Sequence, residues 1–151
     1  MFKLVALVAL AAAVAAVAAT ASAHEIQVKG EDTGSFSLEL IGPNLFRSTD
    51  ISSGVASHLG PYGFLAHEIY DASQNVVTSA EFTITTRHGT LFGSYTATLG
   101  VGSTPNIGTY HAPGSVTGGT GRYADASGTI TFDGYGDFDT HVAQTQGIRG
   151  W

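Results

Sequence analysis

From residue 35 onward the chain keeps returning to a two-residue rhythm. Phe36, Leu38 and Leu40 are separated by Ser37 and Glu39, and Phe82 and Ile84 by Glu81, Thr83 and Thr85. Leu91, Gly93, Tyr95, Ala97 and Leu99 interleave with Phe92, Ser94, Thr96 and Thr98, and Ile130 and Phe132 with Thr129 and Thr131. Extended backbone sends successive side chains to opposite faces, so this alternation, rich in Thr, Tyr and Phe, is the mark of strands with one buried face. No window after residue 23 sustains a helical period. The fold class is therefore all-β.

Turn chemistry divides the strands. Arg87-His88-Gly89-Thr90 reads as a tight hairpin. Gly42-Pro43-Asn44, Leu59-Gly60-Pro61 and Pro105-Asn106 are further breaks, and Gly118-Gly119-Thr120-Gly121 is the densest. The runs predict about eight strands, over 25–29, 35–41, 50–58, 62–71, 79–86, 91–99, 107–117 and 127–133. A ninth run covers 138–149. There is no linker, charge run or exact repeat. Strand spacing of this kind suits a barrel or a sandwich.

A different composition precedes this body. Eleven alanines lie in the first 23 residues and none of the 20 glycines do. Lys3 opens an apolar run from Leu4 to Ala19, and Ala21-Ser22-Ala23 supplies small residues where a peptidase would cut. That is the layout of a signal peptide over 1–23, with a mature domain over 24–151 that is secreted or periplasmic. A retained anchor is the competing reading, although an alanine run this short is weakly suited to spanning. Cysteine is absent, which excludes disulfides, thiolate metal sites and a cysteine nucleophile. Residues 24–151 hold five basic and twelve acidic side chains, too few cations for a nucleic-acid footprint. The chain ends in Trp151, as outer-membrane barrels end in an aromatic residue, but Thr145, Gly147 and Arg149 would face lipid badly, so no membrane partner is expected after leader removal.

The run from Gly118 to Gly128 (GGTGRYADASG), followed by Thr129-Ile130-Thr131-Phe132, resembles the signature segment of the allene oxide cyclase and dirigent-like barrel superfamily. Gly54-Val55-Ala56-Ser57-His58-Leu59-Gly60 is similar to a second segment of its bacterial members. The hairpin His88-Gly89-Thr90-Leu91, with Gly93 and Tyr95, is similar to a third. The resemblance implies a single eight-stranded antiparallel barrel with a largely apolar interior, often trimeric. It carries no catalytic set onto this chain. Closure would also remove the exposed sheet edges of a disulfide-free secreted protein.

Candidate chemistry is sparse. Over Tyr62 to Asp71 one face holds Tyr62, Phe64, Ala66, Glu68 and Tyr70, and the other Leu65, His67 and Ile69. Two apolar faces point either to a lumen on one side and a subunit contact on the other, or to a covering loop. If the aromatic face points inward, Tyr62, Phe64 and Tyr70, joined by Tyr95 and Tyr110, would line a ligand site. Desolvation would then raise the pKa of Glu68 and fit it for proton transfer. If that face points outward, Glu68 is an interface charge. Gly118, Gly119, Gly121 and Arg122 are read as a structural turn, with Arg122 and Asp125 at pairing distance along one helical turn. Phosphate cradling by these glycines fails because no Lys-bearing helix follows.

His58, His67, His88, His111 and His141 lack metal-ligand spacing and read as scattered. His24 would chelate copper only if cleavage follows Ala23. Asp133, Asp137 and Asp139 read as a solvated turn rather than a calcium loop. Neither a metal nor a cofactor is expected. Three functions follow: a barrel binding a small apolar molecule, a cofactor-free isomerase or cyclase, or a structural module. A cavity with converging polar groups would favour the isomerase, a smooth cavity a carrier, and no cavity the structural module.

Overall fold

The computed structural model describes residues 28–150, apart from the side chains of 149 and 150; the expected leader and His24 lie outside the described residues. Eight strands follow one another: β1 Val28–Gly42, β2 Leu45–Ala56, β3 Gly60–Asp71, β4 Val76–Thr86, β5 Gly89–Val101, β6 Ile107–Gly119, β7 Gly128–Asp137 and β8 Val142–Gly150. Each pairs antiparallel with its neighbour in sequence, and β1 pairs with β8 to close the barrel. The expected number of strands is correct, but several of the expected boundaries are not. Residues 28–29 of the first run and the run at 35–41 belong to one strand, because Gly30 and Gly34 continue the pairing with β2 and β8 between them; residues 25–27 lie outside the described residues. The ninth run is therefore the eighth strand, and it supplies the closing pair.

Connections at one end are short and rely on residues that tolerate positive φ. Asn44 (φ 58°), Asn75 (φ 53°) and His141 (φ 57°) sit in the turns after β1, β3 and β7. Asp71 tightens the β3–β4 turn by accepting the Ser73 backbone N–H at 2.9 Å. At the other end, the β6–β7 connection folds over the barrel through a single 3-10 turn, Gly121–Tyr123. The Arg122 backbone N–H donates to the His88 carbonyl at 2.9 Å, which docks this connection on the β4–β5 hairpin. The four-residue structural turn expected here is therefore smaller than expected. Gly121 has φ +59° and turns the chain, whereas Gly118 and Gly119 continue β6 as strand residues. Their lack of a side chain serves close packing: a Cβ on Gly118 would meet the Phe92 ring at 2.7 Å. Arg122 forms no ion pair with Asp125.

Inward side chains fill the closed end. Val28, Leu59, Ile84, Leu91, Ile130 and Ile148 are buried there, and Tyr123 caps them. Above them lies an aromatic layer. Phe64, Phe82 and Phe132 meet with ring centroids 5.4–6.2 Å apart, and Tyr95 joins at 5.5 Å from Phe132. Burying such rings contributes about 2–3 kcal/mol each. This plug seals one end of the barrel and leaves the other free.

The outer face is mostly Ser, Thr and charged residues, but three of its exposed apolar side chains form a row. Ile51, Leu65 and Phe92 stand at 59%, 39% and 41% exposure. The pairings Ile51–Leu65, Leu65–Thr83 and Thr83–Phe92 place them in one row across β2 to β5. Thr145, which would face lipid only in an outer-membrane barrel, is buried on the inward face, after a register shift in β8.

One glycine tests the closeness of the wall. A Cβ on Gly93 would collide with the Ser115 carbonyl oxygen and lie 2.9 Å from the Phe82 ring. Substituting Gly93→Ala should destabilise the fold by about 2–3 kcal/mol in urea unfolding, through forced displacement of β6 or of the aromatic layer.

Candidate functional site

The free end of the barrel opens into a cavity of about 90 Å³. Its mouth is apolar, framed by Leu38 on β1, Leu99 on β5 and a set of rings. Phe138, in the turn after β7, packs edge-on against Phe36 at 5.5 Å and lies 6.4 Å from Tyr70. Two strands of sequence far apart, β1 and β3, are thus bridged by one turn residue across the entrance.

The same wall also carries polar groups. Ser48 and Asp50 come from β2, Glu68 from β3, Tyr95 from β5, Tyr110 from β6 and Thr145 from β8. The Tyr95 hydroxyl donates to Glu68 Oε1. Tyr110 Oη and Thr145 Oγ1 share a hydrogen bond at 2.7 Å. Burial pushes the Glu68 carboxyl above its usual range, while hydrogen bonds from Tyr95 and Ser48 hold it back. Asp50 is shifted further, to about 7, first by burial and then by repulsion from Glu68 and Asp32. Its Oδ1 atom is buried with no hydrogen-bond partner, a costly state for a carboxyl oxygen. The same burial raises the phenols of Tyr95 and Tyr110, so both are neutral donors at any physiological pH.

Four of the five residues expected to bind a ligand lie on this wall: Phe64, Tyr70, Tyr95 and Tyr110. The fifth, Tyr62, is buried off the wall and donates to Asp32 Oδ2 at 2.7 Å. Glu68 faces the cavity, which settles the direction of the Tyr62–Tyr70 face as inward. Asp50 was not anticipated. On β2 the alternation is inverted, with Ser48, Asp50 and Ser52 inward and Ile51 and Val55 outward. The one available signal lies in the register with β3, where Ser48 opposes Glu68 and Asp50 opposes Ala66.

Other candidates separate. The five described histidines are all exposed and stand apart: His67 contacts Thr49, His111 pairs with Asp133 at 2.6 Å, and His141 stacks near Phe36. Asp137 accepts the backbone N–H groups of Asp139 and Thr140, which hold its carboxyl below the usual range and make it a turn cap. No group of three or more metal-ligating side chains occurs among the described residues.

No family model, curated protein or solved structure matches the chain. The superfamily resemblance is therefore supported only at the level of the closed eight-stranded antiparallel barrel.

The Asp50 shift has a consequence for stability. A carboxyl whose folded pKa, about 7, exceeds its unfolded value of 3.8 binds its proton more tightly when folded. Its contribution is complete below pH 3.8 and declines as pH rises through about 7. The ligand-free protein should therefore lose about 2 kcal/mol between pH 5 and pH 8. Thermal unfolding followed by circular dichroism should show the loss in the wild type and a flatter profile in Asp50→Asn.

Proposed function

We propose that the barrel takes up a small, mainly apolar molecule through its open end and holds the molecule's polar end against Asp50, Glu68, Tyr95 and Tyr110. The observation that carries this reading is the mixed wall of one cavity, in which apolar and aromatic side chains surround a few hydrogen-bonding groups. Binding sites commonly have this composition, since apolar walls supply affinity and a few polar groups fix orientation. The plugged opposite end makes the lumen a pocket rather than a channel. The leader-like composition of the first 23 residues supports uptake of that molecule by a secreted or periplasmic protein.

A second reading rests on the same polar groups. Two or more of them converge, as an isomerase or cyclase needs. Glu68, oriented by Tyr95, is a buried acid beside a mouth that would hold an apolar substrate in one conformer. In this reading Glu68 gives a proton to one atom of the bound molecule and takes one from another, and the mass is unchanged. The exposed row of Ile51, Leu65 and Phe92 supports self-association of the barrel, in keeping with the trimers that the resemblance implies.

Native mass spectrometry of protein purified from its own source should report a retained small molecule and the subunit count together. Ala112 is buried on the cavity wall, so Ala112→Leu should fill the lumen and lower occupancy about tenfold or more. An empty wild-type protein, or equal occupancy in the variant, would remove the binding reading. The recovered molecule, returned to fresh protein and separated by chromatography, should come back as an isomer if the second reading holds. Glu68→Gln should then stop the conversion without stopping uptake.

A further inference from the structure

The cavity wall carries acids and no base. Asp50 and Glu68 line it, and Asp32 on β1 is close enough to add to the repulsion on Asp50. The other titratable groups of this region are phenols: Tyr62 and Tyr70 on β3, Tyr95 on β5 and Tyr110 on β6. The lining residues from β4, β7 and β8 bring no titratable group. The buried Oδ1 of Asp50 lacks a partner. The rest of the wall is largely ring surface, from Phe36, Phe64, Tyr70, Phe132 and Phe138. Aromatic faces attract cations, and more so when water is excluded.

Taking the lumen as the site of an apolar guest, we infer that the polar end of that guest is an organic ammonium group, seated on Asp50 and Glu68 and surrounded by the aromatic wall. A hydroxyl guest would partner one carboxyl but leave the mutual repulsion of the acids in place, and a carbonyl guest could pair only with a carboxyl that keeps its proton. A cation relieves both the unpartnered oxygen and the repulsion. An anion would add to the repulsion. Uptake of the cation expels protons, because it favours the ionised carboxyls.

Isothermal titration of the full chain with hexylamine, 1-hexanol and hexanoate compares three heads on one apolar tail. At pH 8 hexylamine should bind about tenfold more tightly than hexanol, with hexanoate weakest. Hexylamine stays protonated down to pH 5, yet its affinity should fall about tenfold or more as Asp50 is protonated. Titration at pH 7 in buffers of different ionisation heat should report proton release. Asp50→Asn should reduce hexylamine to the affinity of hexanol. If that variant unfolds early in a thermal melt, Glu68→Gln serves in its place. Equal or tighter binding of hexanol at pH 8 would overturn the cationic head while leaving the apolar pocket standing. Failure of all three probes to bind would overturn both.

Discussion

Closure of β1 onto β8 is the constraint on which everything else depends. An open sheet of eight strands would have two edges of unpaired backbone groups, a hazard for a chain with no disulfide to hold it. Closing it satisfies those groups and defines an inside at the same time. Eight strands leave room for side chains or one small guest, so the content of the lumen becomes a choice made by side-chain size. Here the aliphatic and aromatic plug fills one end, while Ala97, Ala112 and Ala143 leave space at the other.

The same closure creates the electrostatics. Asp32, Asp50 and Glu68 are on three consecutive strands, and on a flat sheet their side chains could reach water. Curling the sheet turns them toward one another and away from solvent, which is why burial leads the causes of the Asp50 and Glu68 shifts. The region tolerates this because phenols and hydroxyls stand beside the acids. Tyr62 serves Asp32 and Tyr95 serves Glu68, each as a neutral donor. Asp50 Oδ1 is the one carboxyl oxygen recorded as buried and unpartnered among the described residues. Natural proteins bury few such groups, and a site for a ligand is a recognised reason to keep one.

Much of this was legible in strands with a clean alternation. Phe82, Ile84, Leu91, Tyr95, Ile130 and Phe132 are inward as their spacing indicates. So are Phe64, Glu68 and Tyr70, because β3 carries its aromatic residues on one face. Strand β2 was illegible for a physical reason. A lumen that holds polar groups reverses the usual pattern, and here Asp50 is inward and Ile51 outward. Leu40 misled for another reason: it is 66% exposed at its pairing with Phe46, beside the register shift that ends β1. Gly118 and Gly119 read as a turn because glycine marks turns and crowded strands alike.

The sequence by itself determined the strand class, the number of crossings and the hairpin between β4 and β5, since these follow from local spacing and from residues suited to tight turns. It also determined the shortage of cations, which is a matter of counting. Only the tertiary structure decided that Asp50 and Glu68 meet in one cavity, that Tyr62 is diverted to Asp32, and that Phe138 crosses the mouth to Phe36 and Tyr70. Those relations join residues from distant parts of the chain. They depend on the curvature and register of a closed sheet, which no stretch of sequence carries alone.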